Sequence, residues 1–234
     1  MMEGSILKSG FENDEAKTLV MSFAGQGIAQ VVGFEWVNFF SERPVKVVCV
    51  RDVQKAYYMG NLYGEGGEVI SSGVDSHVEL FRGIIEESKC ERVIMTGSSL
   101  GGYAAALYGV LLNVDYALAY SSQTFIREHP RHGKNDRPHL AEWARRAASG
   151  EDQERYFDLA DLNYDNFTGK LQFHWSTAWR DMRYIDHIKE FRETYDKNGS
   201  IAIIDHPTIS SHSKLCKKLK NWGVLAQHFD GIIV

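Results

Sequence analysis

Residues 93–103 run Val-Ile-Met-Thr-Gly-Ser-Ser-Leu-Gly-Gly-Tyr, an apolar stretch that breaks into Gly97-Ser98-Ser99-Leu100-Gly101. The pattern is G-x-S-x-G at the point where a strand ends and a helix begins. A serine at the apex of so sharp a turn takes a strained backbone, and side chains two residues to either side would collide. Glycines at Gly97 and Gly101 remove those collisions and leave the Ser99 hydroxyl projecting above the sheet edge. Ser98 lacks glycines in the same frame, so Ser99 is the nucleophile the spacing selects. A serine hydroxyl is a poor nucleophile at neutral pH. It needs a base to take its proton, a group to orient that base, and N–H donors for the developing oxyanion. The chemistry on offer is acyl transfer.

The elements that would position Ser99 follow from hydrophobic patterning. Apolar, β-rich runs at Thr18–Phe23, Val45–Val50, Arg92–Met95, Tyr116–Tyr120, Leu171–Trp175 and Ser200–Ile204 read as strands. Helical spacing lies between them, through Val78, Phe81, Ile84 and Ile85, then Ala104, Leu107 and Leu111. It returns at Ile185, Ile188, Phe191 and Tyr195, and again at Leu215, Leu219 and Trp222, with Gly223 as a stop. Residues 1–16 are polar, with room for one short edge strand at Ser5–Lys8. This alternation predicts an α/β fold: a mostly parallel central sheet of about six to seven strands with helices on both faces. The interval 121–169 breaks it. A polar stretch from Arg127 to His139 leads to expected helices at Leu140–Ala148 and Asp152–Leu162, a small helical cap insertion over the strand ends. The whole chain, 1–234, reads as one domain carrying that insertion.

Composition narrows the function classes. The 234 residues are 44% hydrophobic and 24% charged, with a net charge of −5. That balance suits a globular domain with a sizeable core and shows no basic stripe of the kind nucleic acid selects. No stretch reaches the length of a membrane span, and the first residues hold no apolar run of signal-peptide length. Three cysteines, Cys49, Cys90 and Cys216, have neither metal-like nor disulfide-like spacing, which fits a cytoplasmic protein. Cys49 reads as buried filler. Cys216, four residues after His212, reads as an incidental neighbour and not a reactive thiol.

With the elbow in this setting, the chain resembles the α/β-hydrolase superfamily of serine esterases and thioesterases, over roughly Thr18 to Gly223. The resemblance implies the chain order nucleophile, acid, histidine, each on a loop at the C-terminal end of a successive strand. Asp181 is the first carboxylate after Leu171–Trp175, ahead of the helix through Ile185 and Ile188, and is the expected acid. Helix N-capping is its alternative role. Asp186 is the rival, expected inside the helix and pointing outward. His212, a few residues beyond the last strand and ahead of the closing helix, is the expected base, with His206 as its rival. One oxyanion donor is implied at the Leu100 N–H, at the start of a helix whose dipole favours negative charge. The second is implied in Ser22-Phe23-Ala24-Gly25-Gln26-Gly27, where Ala24 replaces the histidine of the superfamily's His-Gly-x segment. Gln26 is the leading donor there, with Ala24 or Gly25 as alternatives. A phosphate-loop reading of the same glycines fails, because no Gly-Lys-Ser/Thr follows.

Other residues read as structural. His129, His132 and His139 are irregularly spaced and are expected to be solvated, so no metal or other cofactor is called for. Trp36, Trp175 and Trp179 are expected at a pocket rim or in the core, and His174 as a structural residue.

The expected activity is a serine hydrolase cleaving an ester, thioester or small amide through an acyl-enzyme on Ser99. The alternatives are an acyltransferase using the same triad and a non-catalytic hydrolase-like binding module. The segment Ala117–Phe125 also resembles α/β-hydrolases found beside polysaccharide-biosynthesis functions, which implies an acylated or glycan-linked substrate. The expected partner is a small-molecule acyl substrate, with no nucleic acid and no membrane, in a chain that could form a homodimer.

Overall fold

The computed structural model describes residues 4–25, 33–129, 142, 144, 153–177, 179–196, 199–211, 214–221 and 223–233, with backbone alone at 179–181, 194 and 195. The strands are β1 (Ile6–Ser9), β2 (Thr18–Phe23), β3 (Lys46–Val50), a small hairpin of β4 (Asn61–Tyr63) and β5 (Val69–Ser72), then β6 (Arg92–Ser98), β7 (Tyr116–Tyr120), β8 (Lys170–Ser176) and β9 (Ile201–His206). Seven of them form one sheet in the order β1-β3-β2-β6-β7-β8-β9, parallel throughout except for β1, which runs antiparallel to β3. The helices are α1 (Val37–Phe40), α2 (Gly73–Ser88), α3 (Leu100–Leu111), α4 (Trp179–Tyr195), α5 (Leu215–Asn221) and α6 (Val224–Asp230).

The strands divide their side chains between two apolar layers. On β2, Leu19, Met21 and Phe23 pack with α2, α3 and α4, while Val20 faces α1, α5 and α6. On β6, Val93 and Met95 join the first layer and Ile94 the second. Because both faces are covered, every residue of β2 is buried. That is why these strands read as continuous apolar runs and not as alternating ones. The predicted fold class holds: a mostly parallel sheet with helices on both faces.

Several boundaries differ from expectation. β6 continues through Ser98, because Thr96 and Gly97 stay paired with β2 and Ser98 with Tyr120 on β7. The elbow therefore leaves directly from the central strand. Gly223 does stop α5, but with φ 72 it also caps the start of α6, so the chain re-enters a helix. The helix expected at Asp152–Leu162 is absent. Two short 3₁₀ turns, Gln153–Tyr156 and Leu159–Asp161, stand there instead. Asp158 separates them: its backbone is extended, and its side chain accepts the Ala160 N–H at 2.9 Å. The helix expected at 140–148 lies outside the described residues apart from 142 and 144. Among the described residues, no helix is long and apolar enough to cross a membrane.

Candidate active site

Ser99 sits between β6 and α3 with φ 53 and ψ −116. Few non-glycine residues occupy that region, and holding one there stores roughly 1–3 kcal/mol. Two backbone hydrogen bonds fix it. Its N–H donates to the Tyr120 carbonyl at 2.8 Å, and its carbonyl accepts the Tyr103 N–H at 3.1 Å. The flanking glycines are required by contact. A Cβ on Gly97 would lie 2.3 Å from the Gly101 carbonyl oxygen, and one on Gly101 only 2.1 Å from the Phe23 carbonyl oxygen. Ser98 is the last residue of β6 and turns its hydroxyl to the Glu35 carboxylate at 2.9 Å. The two adjacent serines thus differ in setting, Ser98 ending the strand and Ser99 holding the turn.

Leu100 is the first residue of α3, where a backbone N–H has no carbonyl within its own helix to reach. Opposite it runs the loop after β2. The Ala24 N–H there donates to the Val50 carbonyl at 2.9 Å, and the Gly25 N–H is held by the Glu35 carboxylate. Both alternative oxyanion donors are therefore engaged with protein acceptors, while Gln26 lies outside the described residues.

Glu35 is the residue sequence reading missed. Its carboxylate binds Ser98 and Gly25, and its carbonyl accepts the Ser22 hydroxyl at 2.9 Å. Burial pushes its pKa up, against the lowering effect of the Ser98 and Gly25 hydrogen bonds. No local pattern around Phe34-Glu35-Trp36 marks it, because its partners lie on β2 and β6. Beside it opens a pocket of about 390 Å³ between α1 and α5, with Glu35, Trp36 and Asn38 on one wall and Cys216 and Lys220 on the other.

The acid and base positions are less fully described. Asp181 falls within the first turn of α4, not ahead of the helix, so the N-cap role is excluded for it. Its side chain lies outside the described residues, as does His212. Asp186 is exposed on α4, as expected of an outward-facing position. His206, at the end of β9, places its Nε2 at 3.2 Å from Nδ1 of His174. His174 is buried, stacked on Tyr120 at 4.5 Å between ring centroids and edge-on to His228 at 5.2 Å. Burial lowers the pKa of all three histidines, and their proximity to one another lowers those of His174 and His228 further.

The remaining expectations divide. Trp175 is wholly buried and donates its indole N–H to the Ser122 carbonyl at 3.1 Å. Trp36 lines the pocket, and the Trp179 side chain lies outside the described residues. Burial pushes the Cys49 thiol up to about 11, as filler would behave. Cys216 is also pushed up, by burial and then by Glu35, the opposite of the lowering that activates a thiol. His129 corrects an expectation. It is not a solvated loop histidine, since its side chain is 13% exposed and packs on His187 and Phe125. His132 and His139 lie outside the described residues.

No family profile and no curated protein matches the chain in sequence. Solved structures similar to it include a capsule O-acetyltransferase of Neisseria meningitidis serogroup A (TM-score 0.65, 12% identity, 94% of this chain and 89% of that one). They also include FphF, a fluorophosphonate-binding serine hydrolase of Staphylococcus aureus (TM-score 0.51, 13% identity, 94% and 96%), and the S-formylglutathione hydrolase FrmB of the same organism (TM-score 0.54, 15% identity, 88% and 82%). The fold is that of the α/β-hydrolases. Within this hydrolase fold β6 is the middle strand of seven, so Ser99 stands at the centre of the sheet's C-terminal edge.

Proposed function

We propose that the chain is a carboxylic ester hydrolase, acting on an ester, thioester or small amide through an acyl-enzyme on Ser99. The observation that carries this reading is the Ser99 backbone, φ 53 and ψ −116, held between two glycines that admit no side chain. A fold maintains such strain where it presents a reactive group. In the proposed cycle the Ser99 Oγ attacks the acyl carbon while His212 takes its proton, with Asp181 orienting the imidazole. The N–H groups of Leu100 and Gln26 receive the oxyanion. Collapse expels the alcohol, thiol or amine, which takes the proton back from His212. Water then enters by the same route and releases the acid. The test is labelling with a fluorophosphonate probe alongside turnover of chromogenic acyl esters of increasing chain length. Ser99-dependent labelling and hydrolysis are expected. Folded protein that neither labels nor hydrolyses at Ser99 would leave the fold as a binding module.

A second reading is acyl transfer to a sugar hydroxyl. The likeness to the capsule O-acetyltransferase, which spans 94% of this chain, favours it. The acyl-enzyme would be the same, with a carbohydrate hydroxyl replacing water. An acetyl ester supplied with oligosaccharide acceptors separates the two, since transfer yields an acetylated sugar by mass spectrometry and hydrolysis yields acetate alone.

A further inference from the structure

Away from Ser99, the segment after β7 folds back on itself. Phe125 and Asp158 form an antiparallel bridge, the Leu159 N–H donates to the Thr124 carbonyl at 2.9 Å, and the Ile126 N–H donates to the Phe157 carbonyl at 2.8 Å. This pairing sets Asp158, 2% exposed, against His187 on α4, 3% exposed. His187 Nε2 lies 3.2 Å from Asp158 Oδ1, and its Nδ1 lies 2.8 Å from the Thr124 hydroxyl. His129 Nε2 approaches the other carboxylate oxygen at 3.9 Å. One ligating atom from each of the three residues falls within 4.8 Å of the others.

We propose that His129, Asp158 and His187 form a site for a divalent transition-metal cation, zinc by donor set, that fastens the segment after β7 to α4. Two imidazole nitrogens and a carboxylate oxygen are zinc donors. Tetrahedral bonds of about 2.0–2.2 Å place ligand atoms roughly 3.3–3.6 Å apart. The 3.2 and 3.9 Å separations to the carboxylate bracket that spacing, and side-chain rotation would have to draw the whole set, now within 4.8 Å, in to it. Thr124 supplies the outer hydrogen bond that a ligating histidine characteristically makes through its other nitrogen. With the Thr124 hydroxyl accepting from Nδ1–H, the Nε2 lone pair of His187 faces the Asp158 carboxylate. Two acceptors that close are stabilised by a cation between them. A water from the His129 side, the least buried of the three, completes four-coordination. The geometry with no metal is a plain chain of hydrogen bonds, Thr124 to His187 to Asp158, and it defines the opposing result.

The test uses untagged full-length protein, stripped with a chelator and titrated with Zn²⁺ or Co²⁺. About one equivalent should bind, Co²⁺ should develop the visible absorption of a tetrahedral site, and saturating Zn²⁺ should raise Tm by about 5–10 °C. H129A and D158N should each abolish the Co²⁺ band and the Tm rise. H129A removes the most exposed ligand and keeps the test open if D158N does not fold. The S99A variant should bind the metal as the unaltered chain does, so failure here and failure of the Ser99 chemistry remain distinguishable. Stripped protein that takes up neither metal overturns the proposal, as does binding that H129A and D158N leave unchanged.

Discussion

The Glu35 carboxylate and the Ser98 hydroxyl meet at 2.9 Å across 63 residues of chain, tying the loop after β2 to the strand that delivers Ser99. The same carboxylate holds the Gly25 N–H. A partly buried acid therefore links the two backbone segments from which oxyanion donors are expected.

Replacing that acid with its amide should separate stability from activity. In E35Q one of the two donors meets an NH₂ group, and the loop loosens. Turnover of a chromogenic ester should fall about tenfold, the effect of losing roughly 1.4 kcal/mol in the transition state, with KM little changed. Stability should move the other way. The Glu35 pKa is raised in the fold, so its contribution is fullest below the ordinary value of 4.5 and is lost as pH rises through the folded value. The Tm of E35Q relative to the unaltered chain should therefore be more favourable near neutral pH than in acid. A Tm difference that does not change with pH would refute the assignment.

Ser99 itself should show the strain directly. S99A and S99G should both lose ester turnover, by roughly a thousandfold or more. Their stabilities should differ, because only glycine relaxes at φ 53. Strain relief less glycine's entropic penalty leaves S99G about 1 kcal/mol more stable than S99A, or about 2–4 °C in Tm. Equal melting points for the two variants would show that the turn is unstrained.

Gly101 offers a steric test. G101A puts a Cβ within 2.1 Å of the Phe23 carbonyl oxygen and 2.7 Å of that of Ala24, both backbone atoms that have no room to yield. A loss of about 3 kcal/mol or more is expected by denaturant unfolding. G83A is the control. Gly83 lies on the exposed face of α2 with nothing within 4 Å of an added Cβ, so alanine there should stabilise by about 0.5–1 kcal/mol.

The buried histidines predict acid sensitivity. Burial lowers His77 from 6.5 to about 4, with its Nδ1 against the Ser71 hydroxyl at 2.5 Å. The folded state keeps the ring neutral while the unfolded chain protonates it. Stability is thus complete above pH 6.5 and is lost as pH falls from there toward 4, by about 3 kcal/mol in all for this one group. His174, His206 and His228 act in the same direction. Unfolding free energy measured across that range should fall with acid, and H77Q should flatten the curve by its share.

What could be read from the sequence was what is local in it. Thr18–Phe23 and Tyr116–Tyr120 match their strands end for end, because burial on both faces leaves an uninterrupted apolar signature. Gly97, Ser99 and Gly101 were legible because the steric demand of one turn falls within five consecutive residues. Glu35 was not, since its partners Ser98 and Gly25 come from the end of β6 and the loop after β2, and nothing near it in the chain records them. His129, Asp158 and His187 escaped for the same reason, and because Asp158 breaks what reads as one charged helix into two turns. The four-residue α1 and the hairpin strands β4 and β5 are too short to carry a period.

The contact between Gly101 and the Phe23 carbonyl has a consequence for engineering. The helix that follows Ser99 and the end of β2 touch backbone to backbone, with no side chain between them to trim or enlarge. Residues 23–25 and 97–101 are therefore coupled through their backbones, and a side chain at Gly97 or Gly101 is expected to push the two segments apart. Substitutions at Asn38 and Lys220, on the walls of the pocket between α1 and α5, avoid that backbone contact altogether.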